Sequence, residues 1–128
     1  MVRVILVRHA KADPGDPDEL RPLTPAGHEA ARMLGELLAE REPEAIVSSP
    51  LVRAVETAEA LADAAGLEVV VDERLGPGAT VDDLRAAVAG RGETVIAVGH
   101  QPDCGEIALV VTGRELSFPT AGFAELDL

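Results

Sequence analysis

The chain has 128 residues, 47% of them apolar, with 23 acidic side chains against 11 basic ones and a formal charge of −12. That length and apolar content suit one domain with a single sizeable core, argue against disorder, and offer no run long enough to cross a bilayer. The charge excludes a nucleic-acid partner, because counterion release needs a basic face, and the lack of Tyr and Trp removes a stacking platform for bases.

Other exclusions follow from single residues. One cysteine, Cys104, rules out an internal disulfide and a cysteine-based metal cluster. The start, Met1-Val2-Arg3-Val4, is strand-like and lacks the pattern of a signal peptide, so a cytoplasmic protein with no membrane partner is expected. An anionic substrate would meet repulsion at long range. Any phosphate site must therefore be a local cluster of Arg, acting within a Debye length of roughly 8 Å. Lys11 is the only lysine.

Strand and helix signals alternate along the chain. Val2–Val7 is an almost unbroken apolar run, as in a strand covered on both faces, and a proline-rich loop follows from Asp13. Thr24 reads as an N-cap with Pro25 at the first helical position, opening a helix to about Glu40 with Ala30, Met33, Leu34, Leu37 and Leu38 at helical spacing. Ala45–Val47 is a short strand. Ser49-Pro50 repeats the cap-then-proline signal and predicts a second helix, with Val52, Val55, Ala58 and Leu61 on one side and Gly66 at its end.

Glu68–Val71 reads as a third strand and Gly76-Pro77-Gly78 as a turn. Thr80 and Asp83 have capping-box spacing, opening a helix to about Ala89. Thr94–Val98 is a strand and Asp103–Val111 a helix, after which Glu115–Phe118 and Phe123–Leu128 resemble two short edge strands. This alternation predicts an α/β fold: a largely parallel sheet with helices on both faces, binding ligand beyond the carboxyl ends of its strands.

The chemistry-bearing residues fall at those ends. The first strand runs into Arg8 and His9, and the Thr94–Val98 strand runs into Gly99 and His100. Two strands that each stop on a histidine, with Arg8, Arg21 and Arg53 in the intervening motifs, suggest a phosphate pocket. A neutral imidazole near its reference pKa of about 6.5 can attack phosphorus at physiological pH. Arg53 lies near a helix N-terminus, whose free N–H groups favour an oxyanion. Arg21 is balanced between solvent and site, and His28 reads as a surface residue.

Competing readings are weaker. A metal triad of His9, His28 and His100 has no supporting spacing, and neither G-x-G-x-x-G nor a Walker A sequence is present. A cysteine phosphatase would need Arg six residues beyond Cys104, where Val110 stands, so Cys104 reads as an inert helical residue.

Arg8-His9-Ala10, Arg21-Pro22-Leu23-Thr24, Ser48-Ser49-Pro50-Leu51-Val52-Arg53-Ala54 with Thr57-Ala58-Glu59, and Gly99-His100 resemble the histidine phosphatase superfamily. The small size and the Arg-Pro-Leu-Thr motif resemble its short SixA-like phosphohistidine phosphatase branch. The resemblance implies a phosphoglycerate mutase-like fold across residues 1–128, with His9 as the nucleophile that becomes phosphorylated. Arg8, Arg53 and His100 would hold the phosphoryl oxygens, Arg21 would be a further contact, and no metal or other cofactor would be needed. Two positions depart from the pattern: Ala10 replaces the usual glycine after the nucleophile, and Glu56 stands where Gln is common, adding negative charge near the pocket.

No acidic residue is an obvious general acid, and Glu73 is only placed in a suitable loop. An alkoxide leaving group needs a proton, whereas a phosphorylated imidazole leaves neutral once its ring is protonated. The expected substrate is thus a phosphorylated protein carrying phosphohistidine. The alternatives are a small phosphorylated molecule as substrate, or a phosphate-binding module without turnover.

Overall fold

A computed structural model describes residues 1–128. Five strands and four helices follow one another as β1 (Arg3–Arg8), α1 (Pro25–Ala39), β2 (Ala45–Ser48), α2 (Val52–Ala65), β3 (Val69–Val71), α3 (Val81–Val88), β4 (Thr94–Gly99), α4 (Asp103–Thr112) and β5 (Phe123–Asp127). The sheet order is β3-β2-β4-β1-β5. The first four are parallel, and β5 runs antiparallel along β1.

Period-two alternation explains the two cores. Val4 and Leu6 of β1, with Val95 and Ala97 of β4, face α3 and α4, where they meet Leu84, Val88, Ile107 and Ala108. Ile5 and Val7, with Ile96 and Val98, face the other way onto Leu34 and Leu38 of α1 and Ala58 and Leu61 of α2. The chain moves from β1 to β2 to β3 in one direction and then returns to β4, and that reversal carries α3 to the opposite face, as right-handed crossovers require.

Local signals act largely as read. The Thr24 side chain accepts from the Gly27 N–H, Gly66 ends α2 at φ 70°, and Thr80 and Asp83 form a reciprocal capping box. Gly35 lets α1 and α2 approach: a Cβ there would lie 2.8 Å from the Ala60 carbonyl oxygen.

Four expectations need correction. Met33 and Leu37 are exposed, so α1 buries the narrower stripe Ala31, Leu34 and Leu38. In α2 the buried face is Arg53, Ala54, Thr57, Ala58, Leu61 and Ala62, rotated from the one predicted. Ser49 does not cap α2, which starts at Val52. Glu115–Phe118 forms no strand; Phe118 instead plugs the core beside α4, and only Phe123–Asp127 joins the sheet.

Candidate active site

Register brings the two histidines together. Arg8 pairs with Gly99 at the ends of β1 and β4, and the His9 N–H donates to the Gly99 carbonyl at 3.0 Å. His9 and His100 are therefore the next residues on neighbouring parallel strands. Their ring centroids are 5.3 Å apart, inclined at 54°. Both are buried. The His9 backbone is held from the other side too, its carbonyl accepting from the Ala121 N–H at 3.1 Å.

The His9 tautomer follows from one contact. Nδ1 lies 2.7 Å from the Ala10 carbonyl oxygen, which can only accept, so Nδ1 carries the proton and Nε2 keeps its lone pair. Ala10 is fixed in turn: its N–H donates to Thr57 Oγ1 at 3.0 Å, and the Thr57 hydroxyl donates to the Arg53 carbonyl at 2.8 Å. Burial lowers the His9 pKa, and Arg53, Arg8 and Arg21 add to the lowering against the opposing Ala10 contact. His9 is thus a neutral, oriented imidazole at pH 7.

His100 Nε2 lies 2.7 Å from Ser49 Oγ, which also accepts from the Leu51 N–H at 3.2 Å. Burial first, then the neighbouring His9 and Arg53, push the His100 pKa down to about 4. Arg8 donates from Nη1 to the Phe118 carbonyl at 3.0 Å, so the tail that failed to form a strand anchors this guanidinium. Arg8 Nε and His100 Nδ1 are buried without hydrogen-bond partners. Native proteins retain few such groups, and functional sites are one of the places where they do.

Arg53, the second residue of α2, is buried to 8% exposure. Its Nη1 donates to the Asp18 carbonyl at 2.9 Å and its Nη2 to Asp18 Oδ2 at 3.2 Å. Arg21 sits at the mouth, donating from Nε to the Asp13 carbonyl at 2.6 Å and from Nη1 to Asp18 Oδ1 at 2.9 Å. The loop carrying both residues is closed by a bridge between Ala12 and Leu23. It also abuts α1, where a Cβ on Gly27 would collide with the Lys11 carbonyl.

Other predicted candidates lie elsewhere. His28 is exposed on α1, 3.9 Å from Glu56. Glu56 faces the loop rather than the histidines, its Oε1 accepting from the Leu23 N–H at 2.8 Å. Glu73 is exposed in a 3-10 turn, Glu73–Leu75. Cys104 is buried, and burial pushes its thiol up to about 12, so it stays protonated. No three His, Cys, Asp or Glu side chains are grouped as metal ligands.

Sequence reading missed Asp18, Ser49 and Thr57. The sequence marks Ser49 as a helix cap, carries Thr57 only inside a motif, and gives Asp18, in the proline-rich loop, no role. The one available signal was that Asp18 precedes Arg21 by three residues.

The family model of the histidine phosphatase superfamily (branch 1) matches residues 4–76, taking in His9, Arg21 and Arg53. The chain belongs to the histidine phosphatase superfamily. Within the superfamily it is similar to a SixA protein of Agrobacterium tumefaciens, at 32% identity over 98% of this chain and 91% of that one, with a TM-score of 0.84. It also matches the protein histidine phosphatase SixA complexed with tungstate, at 26% identity over 99% of this chain and 88% of that one, with a TM-score of 0.87. An uncharacterized protein of Picosynechococcus is 36% identical over 90% of this chain and 74% of its own length. Three further curated relatives match over only 35% to 39% of their length. The chain is thus a phosphatase of the SixA-like branch with the phosphoglycerate mutase-like fold. No helix is long and apolar enough to cross a membrane.

Proposed function

We propose that residues 1–128 form one metal-independent phosphatase domain that removes phosphate from protein phosphohistidine through a phosphorylated His9. The observation that carries this is the state of the acid at the site. Asp18 is gripped as an anion by two arginines, its pKa lowered first by the Arg21 hydrogen bond, so it is no proton donor at neutral pH. No other Asp or Glu side chain hydrogen-bonds to the histidines or to Arg53. Such a site suits a leaving group that arrives already protonated.

The steps balance on that basis. His9 Nε2 attacks phosphorus while the P–N bond of a ring-protonated phosphohistidine breaks, and that bond pair stays on the departing nitrogen, giving neutral imidazole. Phosphorylated His9 keeps its Nδ1 proton on the Ala10 carbonyl, so it too is in the form that leaves neutral. Water then attacks phosphorus, the P–Nε2 bond breaks with its pair left on Nε2, and dihydrogen phosphate departs, sharing its extra proton with solvent. Arg8 and Arg53 stabilise charge on the equatorial oxygens as fixed cations and His100 as a neutral imidazole, while Arg21 holds Asp18 beside Arg53, and fixed charges suit a reaction that is mostly positioning. The structure of a SixA neighbour complexed with tungstate, a phosphate-like oxyanion, supports this reading. The lone, unpaired cysteine fits a reducing cytoplasm.

The test is a substrate panel in EDTA: a phosphohistidine peptide, a sugar phosphate and p-nitrophenyl phosphate. Preference for the peptide, unaffected by EDTA, is expected, together with labelled phosphate trapped on His9 and absent in His9→Ala. Preference for the sugar ester overturns the substrate assignment, and oxyanion binding without any trapped intermediate overturns catalysis.

A further inference from the structure

The contacts of Arg21 and Arg53 meet on one side chain. Asp18 opens a 3-10 turn, Asp18–Leu20, in the loop between β1 and α1, and that turn packs on α2. It takes two donors from Arg53, one on its backbone carbonyl and one on Oδ2, and a third from Arg21 on Oδ1. An ion pair between Arg53 and Asp18 is the only one that Arg53 makes.

The arrangement has a physical logic. The Arg53 side chain is only 9% exposed, and a guanidinium that has lost its water needs fixed acceptors and a counter-charge. It has five N–H donors; two engaged on Asp18 set the plane of the fork and leave Nε and two terminal N–H groups for an oxyanion. Asp18 is itself the exposed member, with a side chain 59% accessible, and would swing freely without an anchor. Arg21 is that anchor. Its Nε is committed to the Asp13 carbonyl across the base of the loop, where the Asp13 N–H also donates to the Pro22 carbonyl at 2.8 Å. Leu23, two residues after Arg21, is tied through its N–H to Glu56 on α2. The loop is thus pinned at both ends while Arg21 holds Asp18 against Arg53.

We propose that Asp18 is a positioning residue, and that Arg21 acts on the phosphoryl group through Asp18 and Arg53 rather than by touching it. The proposal deepens the phosphatase reading and rests on it only for the identity of the site as an oxyanion pocket. Asp18 has a cost as well as a use: its charge opposes the oxyanion, so the site trades some ground-state attraction for an aligned Arg53. A carboxylate here also opposes the effect of the arginines on His100, whose pKa it raises.

A background-dependence experiment separates relay from direct contact. Tungstate affinity by calorimetry and kcat and KM for p-nitrophenyl phosphate are measured for wild type, Asp18→Asn and Arg21→Gln. The same two changes are then made in an Arg53→Met background, with Arg53→Lys as the second background should the buried methionine prevent folding. Each single change is expected to lower kcat about 10- to 100-fold, the cost of a misaligned catalytic group. KM should move much less, since on this proposal neither side chain touches the oxyanion. With Arg53 gone, neither change should weaken tungstate binding or lower kcat/KM by more than about twofold, because coupled residues lose their effect together.

A full Arg21→Gln loss persisting in the Arg53→Met background overturns the relay in favour of direct contact. Asp18→Asn within twofold of wild type in both kcat and tungstate affinity overturns the role of Asp18. Calorimetry needs no turnover, so an inactive wild type would defeat the catalytic reading while leaving this test intact.

Discussion

The two ends of the parallel strands are built on opposite rules. At the amino end charge stays in water: Arg3 meets Asp127 at 3.6 Å with both side chains 56% exposed, and Arg41 meets Glu125 at 3.3 Å on the same β5 edge. At the carboxyl end the same sheet buries polar groups, and the buried polar set is His9, Ser48, Ser49, Arg53, Thr57, His100 and Asp103. His9, Ser49 and His100 follow strands, Ser48 ends β2, Arg53 and Asp103 open helices, and Thr57 lies in the second turn of α2. Between the two ends, β1 and β4 carry only aliphatic side chains inward. The contrast teaches that the sheet spends its stability on one rim. Exposed pairs contribute about 0–1 kcal/mol each, whereas buried cations and imidazoles cost folding energy unless held by several partners.

The largest expected effect lies at the buried rim. Arg53→Met should lower kcat/KM by on the order of 10²–10³, as loss of a fixed charge-stabilising donor does, with the fold checked by circular dichroism. A loss under tenfold would break the contrast, since Arg53 would then be a structural cation like those of the amino end.

Next in size is the pH dependence of stability. His100 is neutral when folded, with a pKa pushed down to about 4, while in the unfolded chain it titrates near the ordinary histidine value of 6.5. As pH falls through 6.5 the unfolded state takes up a proton that the folded state refuses, so stability is lost between 6.5 and about 4. The shift corresponds to as much as about 3 kcal/mol by linkage. Urea midpoints across that window should fall in wild type and fall less in His100→Asn; parallel curves would contradict it. For activity the sign is the same: the acid limb of kcat/KM should lie below pH 6.5, because the His9 pKa of the free enzyme is lowered first by burial.

Smallest is Arg3→Ala, expected to change stability by no more than about 0.5 kcal/mol and to leave kcat unchanged, as for an exposed pair. A larger loss would show that the amino end is not the passive rim described.

Much of this division was legible in the sequence. Strand order aside, the alternation of elements, the caps at Thr24 and Thr80, and the two histidines at strand ends all follow from local chemistry. The sequence could not supply the register that sets Arg8 opposite Gly99, which is fixed by packing on both faces. Ser49 shows the limit: serine before proline is a capping signal, but tertiary contact with His100 outcompetes it. Asp18 shows another: its spacing to Arg21 hints at a local pair, but nothing local reveals its grip on Arg53, 35 residues away. Met33 and Leu37 were read as core because spacing marks a stripe without giving its width.

The most direct test of the central claim is a crystal structure with bound tungstate. The oxyanion should lie within about 3 Å of His9 Nε2, with guanidinium nitrogens of Arg8 and Arg53 and the ring of His100 in hydrogen-bond reach. Tungstate bound at well-ordered density elsewhere, with His9 and Arg53 both out of reach, would contradict the account.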